Sequence, residues 1–205
     1  MFDFRRITLF CLEKRLSKHK ITIFFKMFGG HGPFGHPWLR LWEHHVILQI
    51  NVEGWTSAKG EVLQRVSLEE KATLILVQQT HQTTPDRLKL SEYTLVDYIP
   101  GKHHGIATFV SKRVMLTHVE SSGDNNPTQS SVIKIQNVNA TNIYHTPPAS
   151  MVPSKLPKIA GQATISSDLN CRHENWVYSS SNTNGEVLTE WQKIYNLQPL
   201  HNHKQ

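Results

Sequence analysis

Six polar residues follow the ends of predicted strands: Asn51, Gln78, Gln79, Asp168, Asn170 and His173. In α/β proteins, sites tend to lie at the carboxyl ends of strands. Carboxylate and amide oxygens are the ligands that a hard cation such as Mg²⁺ prefers. Asparagine and aspartate also cap helices and form turns, so capping is the commoner explanation for any one of these residues. Together they indicate a polar site that could hold a cation.

Apolar runs and helical patterns predict the elements that would carry these residues. Residues 46–50 and 73–77 are compact apolar runs typical of buried strands, and residues 58–71 between them predict a helix. Strand, helix and strand in about thirty residues is the length of a right-handed crossover unit. Further strands are predicted at 104–110, 131–135, 140–144 and 161–165, followed by a helix over 185–195. This order predicts an α/β domain.

Composition and charge set only loose bounds on function. The 205 residues suffice for one substantial domain. The formal net charge of +6 favours a polyanionic partner such as nucleic acid, but much of the excess lies in the first forty residues, so it carries little weight. The two cysteines, Cys11 and Cys171, form no disulfide framework and suit a reducing compartment.

The first 45 residues form a basic, partly apolar segment with a glycine- and proline-rich linker at 29–37. Its apolar stretches are shorter than the roughly 20 residues that cross a bilayer, so no membrane span is predicted. A transit peptide or a membrane-surface helix would have this composition, and an extension without a role is the simpler interpretation. We therefore predict an extension at 1–45 and a domain at 46–205.

Five short motifs occur in one order along the domain. They are ILQINVEG at 47–54, VQQTH at 77–81, HGIA at 104–107, NIY at 142–144 before two prolines, and SDLNCRH at 167–173 with Trp176. Their order and spacing resemble the endonuclease/exonuclease/phosphatase superfamily. Within it, they most resemble the endonuclease that jockey-type non-LTR retrotransposons encode upstream of their reverse transcriptase. The resemblance covers roughly residues 46–200 and implies a four-layered α/β sandwich, with two mixed β-sheets flanked by helices.

The resemblance implies a role for each of five residues. Asn51 would lie in the metal and phosphate site, and Gln79 stands where the family has its principal metal-binding glutamate. Tyr144 would contact the scissile phosphate. Asp168 and Asn170 would orient the attacking water and stabilise the transition state, and Asn170 would also bind the phosphate.

Three of the chain's departures from the family pattern bear on its activity or stability. Gln79 brings no charge, so the implied cofactor, Mg²⁺ or Mn²⁺, is expected to bind weakly. Ser167 replaces a glycine, which would strain the turn if that position has a positive φ. The family continues to an aspartate–histidine pair without counterpart here, and neither His201 nor His203 is assigned to it. The sandwich is therefore expected to be incomplete at its C-terminal end and marginally stable.

These observations predict a retrotransposon-derived, Mg²⁺-dependent DNA endonuclease domain whose activity is impaired or lost. Its partner would be DNA in the nucleus or cytoplasm, and no stable protein partner is implied. Two alternatives stay open: a functionless relic of a mobile element, and a non-catalytic nucleic-acid-binding module. The binding module would use five basic residues, namely Lys102, His103, His104, Lys112 and Arg113.

Overall fold

The computed structural model describes residues 10–16, 19–25, 46–123, 127–135, 138–176 and 178–197. Its strands are β1 (Phe10–Leu16), β2 (His19–Phe25), β3 (Val46–Asn51), β4 (Leu74–Gln78), β5 (Tyr93–Ile99), β6 (Ile106–Ser111), β7 (Leu116–Ser122), β8 (Thr128–Ile135), β9 (Val138–His145) and β10 (Gln162–Asp168). Its α-helices are α1 (Ser57–Glu69) and α2 (Thr183–Ile194). Short 3-10 turns occupy Pro85–Arg87, Pro153–Lys155 and Glu174–Trp176.

The described strands form two mixed sheets. The first has the order β1-β2-β3-β4-β6-β5, and the second has the order β10-β9-β8-β7. Strands β3 and β4 pair in parallel in the first sheet, and β9 and β10 do so in the second; the other neighbours are antiparallel.

Three apolar clusters hold these elements in four layers. Helix α1 buries Leu63 and Val66 against the outer face of the first sheet. Helix α2 buries Leu188 and Trp191 in a cluster with Ile143 of the second sheet. A third cluster lies between the sheets, and each fully buried aliphatic side chain there contributes roughly 1.5–3 kcal/mol. The predicted α/β sandwich of two mixed sheets flanked by helices is confirmed.

Strand β4 shows why the central strands were predictable. Leu74 and Leu76 pack between the sheets, whereas Ile75 and Val77 pack against the cluster that includes α1. Side chains alternate between faces in a strand, so a strand covered on both faces must be apolar throughout. The continuous apolar run at 73–77 therefore marks β4 correctly.

Four strands were not predicted. Strands β5 and β7 stand at the ends of the sheet orders, each has a register shift, and each carries a charged residue, Asp97 or Glu120. They therefore lack the apolar run that marks a buried strand. Strands β1 and β2 lie within the segment treated as an extension and continue the first sheet beyond β3. The boundary at residue 46 stays a prediction, and the linker at 29–37, His201 and His203 lie outside the described residues.

Neither described helix has the length and hydropathy that crossing a bilayer requires.

Helix α2 begins where Asn182 caps it. Asn182 Oδ1 accepts hydrogen bonds from the backbone N–H of Gly185 at 2.8 Å and of Arg172 at 3.1 Å. The cap therefore gives a hydrogen-bond partner to a free N–H group in the first turn of the helix, and it also fixes the loop that follows β10. A Cβ atom on Gly185 would lie 1.8 Å from the carbonyl oxygen of Arg172, so only glycine permits this approach.

We expect Gly185→Ala to destabilise the domain. Alanine in a helix usually stabilises by roughly 0.5–1 kcal/mol relative to glycine. Here the methyl group would displace the 171–173 loop, with a cost of about 1–3 kcal/mol. Urea denaturation measures the difference, and an unchanged or higher unfolding midpoint would show that the loop yields without cost.

Candidate functional site

The five residues to which the family resemblance gives a role lie at one end of the two sheets. Asn51 ends β3, and Gln79 directly follows β4, whose Gln78 pairs with Asn51 in the parallel ladder. Tyr144 and Asp168 are partners in the parallel ladder of β9 and β10, with Asn170 two residues beyond. Parallel strands end at the same edge of a sheet, so these pairings gather the site.

Two hydrogen bonds cross from one sheet to the other within this group. Asn51 Nδ2 donates to Asp168 Oδ2 at 3.1 Å. Gln79 Nε2 donates to the Tyr144 hydroxyl oxygen at 2.6 Å. Each bond joins one side chain of the first sheet to one of the second, so the site is a junction between the sheets.

An unusual backbone conformation gives Gln79 its direction. Alternation along a strand would send Gln78 and Gln79 to opposite faces. Gln79 instead has a φ of +54°, and both side chains bond to residues of the second sheet. The left-handed region costs a residue with a Cβ roughly 1–2 kcal/mol. The surrounding structure therefore holds Gln79 in a conformation that its own propensity disfavours.

Hydrogen bonds to main-chain atoms stabilise this conformation of Gln79. Gly54 N–H donates to the Gln79 carbonyl oxygen at 2.8 Å, and Trp55 N–H donates to that of Thr80 at 2.8 Å. Lys59 Nζ donates to the carbonyl oxygens of Val52 at 2.6 Å and Gly54 at 2.8 Å. These bonds fix the loop after Asn51 to the loop that carries Gln79.

Lys59 is a supporting residue that the sequence reasoning missed. It lies in the first turn of α1, where no acidic residue occurs. A lysine there opposes the helix dipole, which favours negative charge at a helix N-terminus. The unfavourable interaction with the helix dipole is offset by the hydrogen bonds from Lys59 to carbonyl oxygens of the loop. A lysine in the first turn of a helix is thus the signal in the sequence that could have pointed to this role.

Tyr144 is the most enclosed of the five, with 1% of its surface exposed. Burial raises the pKa of its hydroxyl, the hydrogen bond from Gln79 opposes the rise, and the charge of Asp168 adds to it. The hydroxyl therefore stays protonated at neutral pH and acts as a hydrogen-bonding group. Since Gln79 donates to its oxygen, the Tyr144 hydrogen remains able to donate to an incoming acceptor.

His104 lies against Tyr144, with ring centroids 5.8 Å apart. Burial lowers the pKa of His104, and the neighbouring His103 and His81 lower it further. His104 is therefore neutral at pH 7.

The five basic residues considered for nucleic-acid binding do not form one patch. Lys102, His103 and His104 precede β6, whereas Lys112 and Arg113 follow it. The six residues of β6 separate the two groups by roughly 20 Å. These residues therefore form two groups at opposite ends of β6, and His104 adds little charge at neutral pH.

Asn170 extends the site beyond the end of β10. Its backbone N–H donates to Asp168 Oδ1 at 3.4 Å, and its Nδ2 donates to the carbonyl oxygen of His145 at 2.8 Å. The positive φ of this motif falls on Asn170, at +48°, and Ser167 stays in the extended strand. The strain considered for Ser167 therefore does not arise.

A cleft of about 530 Å³ adjoins Asp168 and Asn170. Its other lining residues include Cys171, Arg172 and Trp176. Burial, with a further contribution from the charge of Asp168, raises the pKa of the Cys171 thiol to about 12. The thiolate is the reactive form of cysteine, so Cys171 is not a nucleophile at neutral pH.

His173, the sixth polar residue of the sequence analysis, has its ring nitrogens engaged elsewhere. Its Nδ1 accepts from the backbone N–H of Asn175 at 3.1 Å, and its Nε2 lies 3.3 Å from Glu186 Oε2. Its ring packs against Trp176, with centroids 5.3 Å apart. His173 therefore joins the loop after β10 to helix α2.

The donor atoms of the site are oxygens of the class that binds Mg²⁺ or Mn²⁺, with little charge. Asp168 supplies a carboxylate, and Asn51 and Gln79 supply amides. Within the described part of the chain, no group of three or more histidine, cysteine, aspartate or glutamate residues could hold a metal ion. The set fits a cation shared with phosphate oxygens of a bound substrate and does not fit a cation held by the protein alone.

Comparison with known proteins gives likenesses of structure. No protein-family model and no curated protein sequence matches the chain. The endonuclease domain of TRAS1, a telomere-specific non-LTR retrotransposon, superposes with a TM-score of 0.51 at 16% identity, covering 76% of this chain and 74% of that one. The AP endonuclease LMAP from Leishmania major gives 0.51 at 12% identity, with 74% and 67% covered. An AP endonuclease from Archaeoglobus fulgidus gives 0.50 at 13% identity, with 72% and 70% covered.

These likenesses agree with the two mixed sheets and the flanking helices described above. At such low identities they establish architecture, and the roles of individual residues are a separate question. The chain therefore shares its fold with these endonucleases.

Proposed function

We propose that this chain is a DNA endonuclease domain of retrotransposon origin, with a phosphate-binding site that is retained and a metal site that is weakened. One observation carries the proposal: Gln79, at the position of the family's metal-binding glutamate, bonds through its amide to Tyr144. The side chain at position 79 therefore still lies in the site but carries no negative charge.

The remaining groups suit a phosphodiester. Tyr144 can donate its hydroxyl hydrogen to a phosphate oxygen, and the side-chain amide of Asn51 and the backbone N–H of Asn170 both donate to Asp168. Asp168 is the group that would orient the attacking water, as a carboxylate accepts hydrogen bonds. DNA would be the partner, met in the nucleus or cytoplasm.

The metal would be held by Asp168 together with amide oxygens of Asn51 and Gln79. A bound Mg²⁺ would polarise a phosphoryl oxygen and lower the pKa of a coordinated water. With one carboxylate, the protein supplies one negative charge toward a divalent ion. Cleavage is therefore impaired because the cation is scarce at the site, while the groups that meet the phosphate are present.

Nicking of supercoiled plasmid tests the proposal, with the natural chain compared with Gln79→Glu in Mg²⁺. We expect the natural chain to nick at or near background and Gln79→Glu to nick about tenfold faster or more. EDTA, and Asp168→Asn in the Gln79→Glu background, should both abolish the gain. Asn175→Asp adds the same charge at an exposed position and should leave the rate unchanged.

Two results would count against the proposal in different ways. Rapid, EDTA-sensitive nicking by the natural chain would show that Gln79 does not impair the site. Silence from a folded Gln79→Glu variant would show that the lost carboxylate is not the cause. Salt-dependent DNA binding by the same silent variant would then favour the non-catalytic binding module.

A further inference from the structure

A chain of buried polar side chains lies between the sheets, directly behind the site. Its members are almost fully enclosed, with exposures of 8%, 0%, 0% and 1% for Gln49, Gln78, Asn142 and Ser166. Apolar residues would occupy such positions at lower desolvation cost, so a buried polar set must be fully hydrogen-bonded to be tolerated. The neighbouring inter-sheet cluster is apolar, which makes this polar set distinct.

The hydrogen bonds of this polar chain run in one direction, from Ser166 to Asn142. Ser166 Oγ donates to Gln49 Oε1 at 2.5 Å, and Gln49 Nε2 donates to Gln78 Oε1 at 2.9 Å. Gln78 Nε2 then donates to Asn142 Oδ1 at 3.1 Å and to the carbonyl oxygen of Ile143 at 2.8 Å. Each donor meets an acceptor, so the orientation of every amide is determined.

Gln78 is the central member of the chain. Its three side-chain bonds link β3, β4 and β9, and therefore both sheets. Asn142 anchors the far end, since its Nδ2 donates to the carbonyl oxygens of Val77 at 3.3 Å and Ala107 at 3.4 Å. The polar chain thus fixes the spacing of the sheets as well as the orientation of its own side chains.

Each member of the polar chain precedes a site residue by one or two positions in the sequence. Three members precede their site residue by two positions and thus share its face, while the fourth is its immediate neighbour. The pairs are Gln49 with Asn51, Asn142 with Tyr144, Ser166 with Asp168, and Gln78 with Gln79. The four strand ends that carry the inter-sheet contacts of the site are therefore the four that the polar chain joins.

We propose that Gln78 is a positioning residue, whose side-chain bonds fix the two sheets at the spacing at which Gln79 reaches Tyr144 and Asn51 reaches Asp168. The inference rests on the proposed function only in that these two contacts are parts of the proposed site. The side-chain hydrogen bonds of Gln78 involve none of the four residues in these two contacts. Its effect passes through β4 and β9, whose ends carry Gln79 and Tyr144.

A matched pair of substitutions separates positioning from a general contribution to stability. Gln78→Met keeps the length of the side chain and removes its hydrogen bonds. Thr108→Val removes a different buried inter-sheet bond, from Thr108 Oγ1 to Ser131 Oγ at 3.1 Å, which is not part of the polar chain. Both should lower the urea midpoint. Only Gln78→Met should alter the environment of the Tyr144 hydroxyl.

The readout is the ¹³Cζ resonance of Tyr144 in the full chain at neutral pH, assigned with Tyr144→Phe. The hydrogen bond from Gln79 Nε2 to the Tyr144 hydroxyl oxygen contributes to the chemical shift of this carbon. We therefore expect Gln78→Met to shift the resonance. Thr108→Val should leave it unchanged. No DNA or metal is needed, so this result is independent of the nicking assay.

An unshifted Tyr144 resonance in folded Gln78→Met, or an equal shift in Thr108→Val, would overturn the inference. If Gln78→Met does not fold, Gln49→Met removes two bonds of the same polar chain and keeps Gln78. A Tyr144 shift in that variant supports the positioning role, and its absence in folded protein overturns it. A silent Gln79→Glu variant would count against the weakened metal site of the proposed function while leaving this result intact.

Discussion

Glutamate at position 79 is expected to tighten Mn²⁺ binding by about tenfold to a hundredfold. One added unit charge near a cation in a partly solvated site is worth roughly 1–3 kcal/mol, and each 1.4 kcal/mol is a factor of ten. The substitution needs little rearrangement, because a carboxylate can accept the hydrogen of the Tyr144 hydroxyl to which Gln79 now donates. The contact persists with its donor and acceptor exchanged.

Electron paramagnetic resonance of free Mn²⁺ measures this affinity without DNA. The natural chain should bind Mn²⁺ weakly in the absence of DNA, since Asp168 alone brings charge. Asn175→Asp controls for the change in net charge and should leave the affinity as it is. Equal affinities of the natural chain and Gln79→Glu would mean that position 79 does not face the cation.

Glutamate at position 78, one residue earlier, should instead destabilise the fold. Gln78 Nε2 donates to Asn142 Oδ1 and to the Ile143 carbonyl oxygen. A carboxylate at this position would keep the hydrogen bond from Gln49 Nε2 on one oxygen, but it would set the other oxygen against these two acceptors and would bury an ion without a counter-ion. Leaving such a charge unpaired costs about 3–5 kcal/mol, which is a large part of the stability of an ordinary domain. We expect Gln78→Glu to be largely or wholly unfolded at neutral pH.

The loss of stability in Gln78→Glu should increase as the pH rises. Burial and the facing acceptors favour the protonated acid, so the folded pKa of the introduced glutamate would exceed its unfolded value of about 4.3. A group with a raised folded pKa contributes stability that is present below the unfolded pKa and is lost as pH rises through the folded pKa. Gln78→Glu should therefore approach the natural chain near pH 4 and diverge from it toward pH 8.

Urea midpoints across that range provide the measurement. Gln79→Glu is the matched control, since it makes the same chemical change at the adjacent residue and should shift stability by about 1 kcal/mol or less. Parallel pH profiles for Gln78→Glu and the natural chain would show that the buried polar chain tolerates a carboxylate.

The contrast between these neighbours marks how far sequence reasoning reaches. The motif order predicted that Asn51, Gln79, Tyr144, Asp168 and Asn170 belong to one site, and the parallel ladders bring them together. Nothing in the order of residues reveals that Gln78 and Gln79 face the same sheet. That depends on the positive φ of Gln79, which breaks the alternation from which strand faces are predicted.

Other misses have equally local causes. The central strands β3 and β4 are buried on both faces and are therefore legible as apolar runs. Strand β7, with the sequence LTHVESS, has no such run, so its place at the end of a sheet order was hidden. The basic residues near β6 lie at both of its ends, and their separation in space was not predicted from the sequence.

The loop that carries Gln79 is fixed through main-chain atoms, by the bonds from Gly54 and Trp55. Its shape is thus inherited whatever side chain stands at position 79, while the polar chain ties position 78 to its partners. Codons for glutamine and glutamate differ in one base. On the proposed function, one base change would remove the negative charge at position 79 and another would restore it, while the main-chain bonds that hold the loop stay the same.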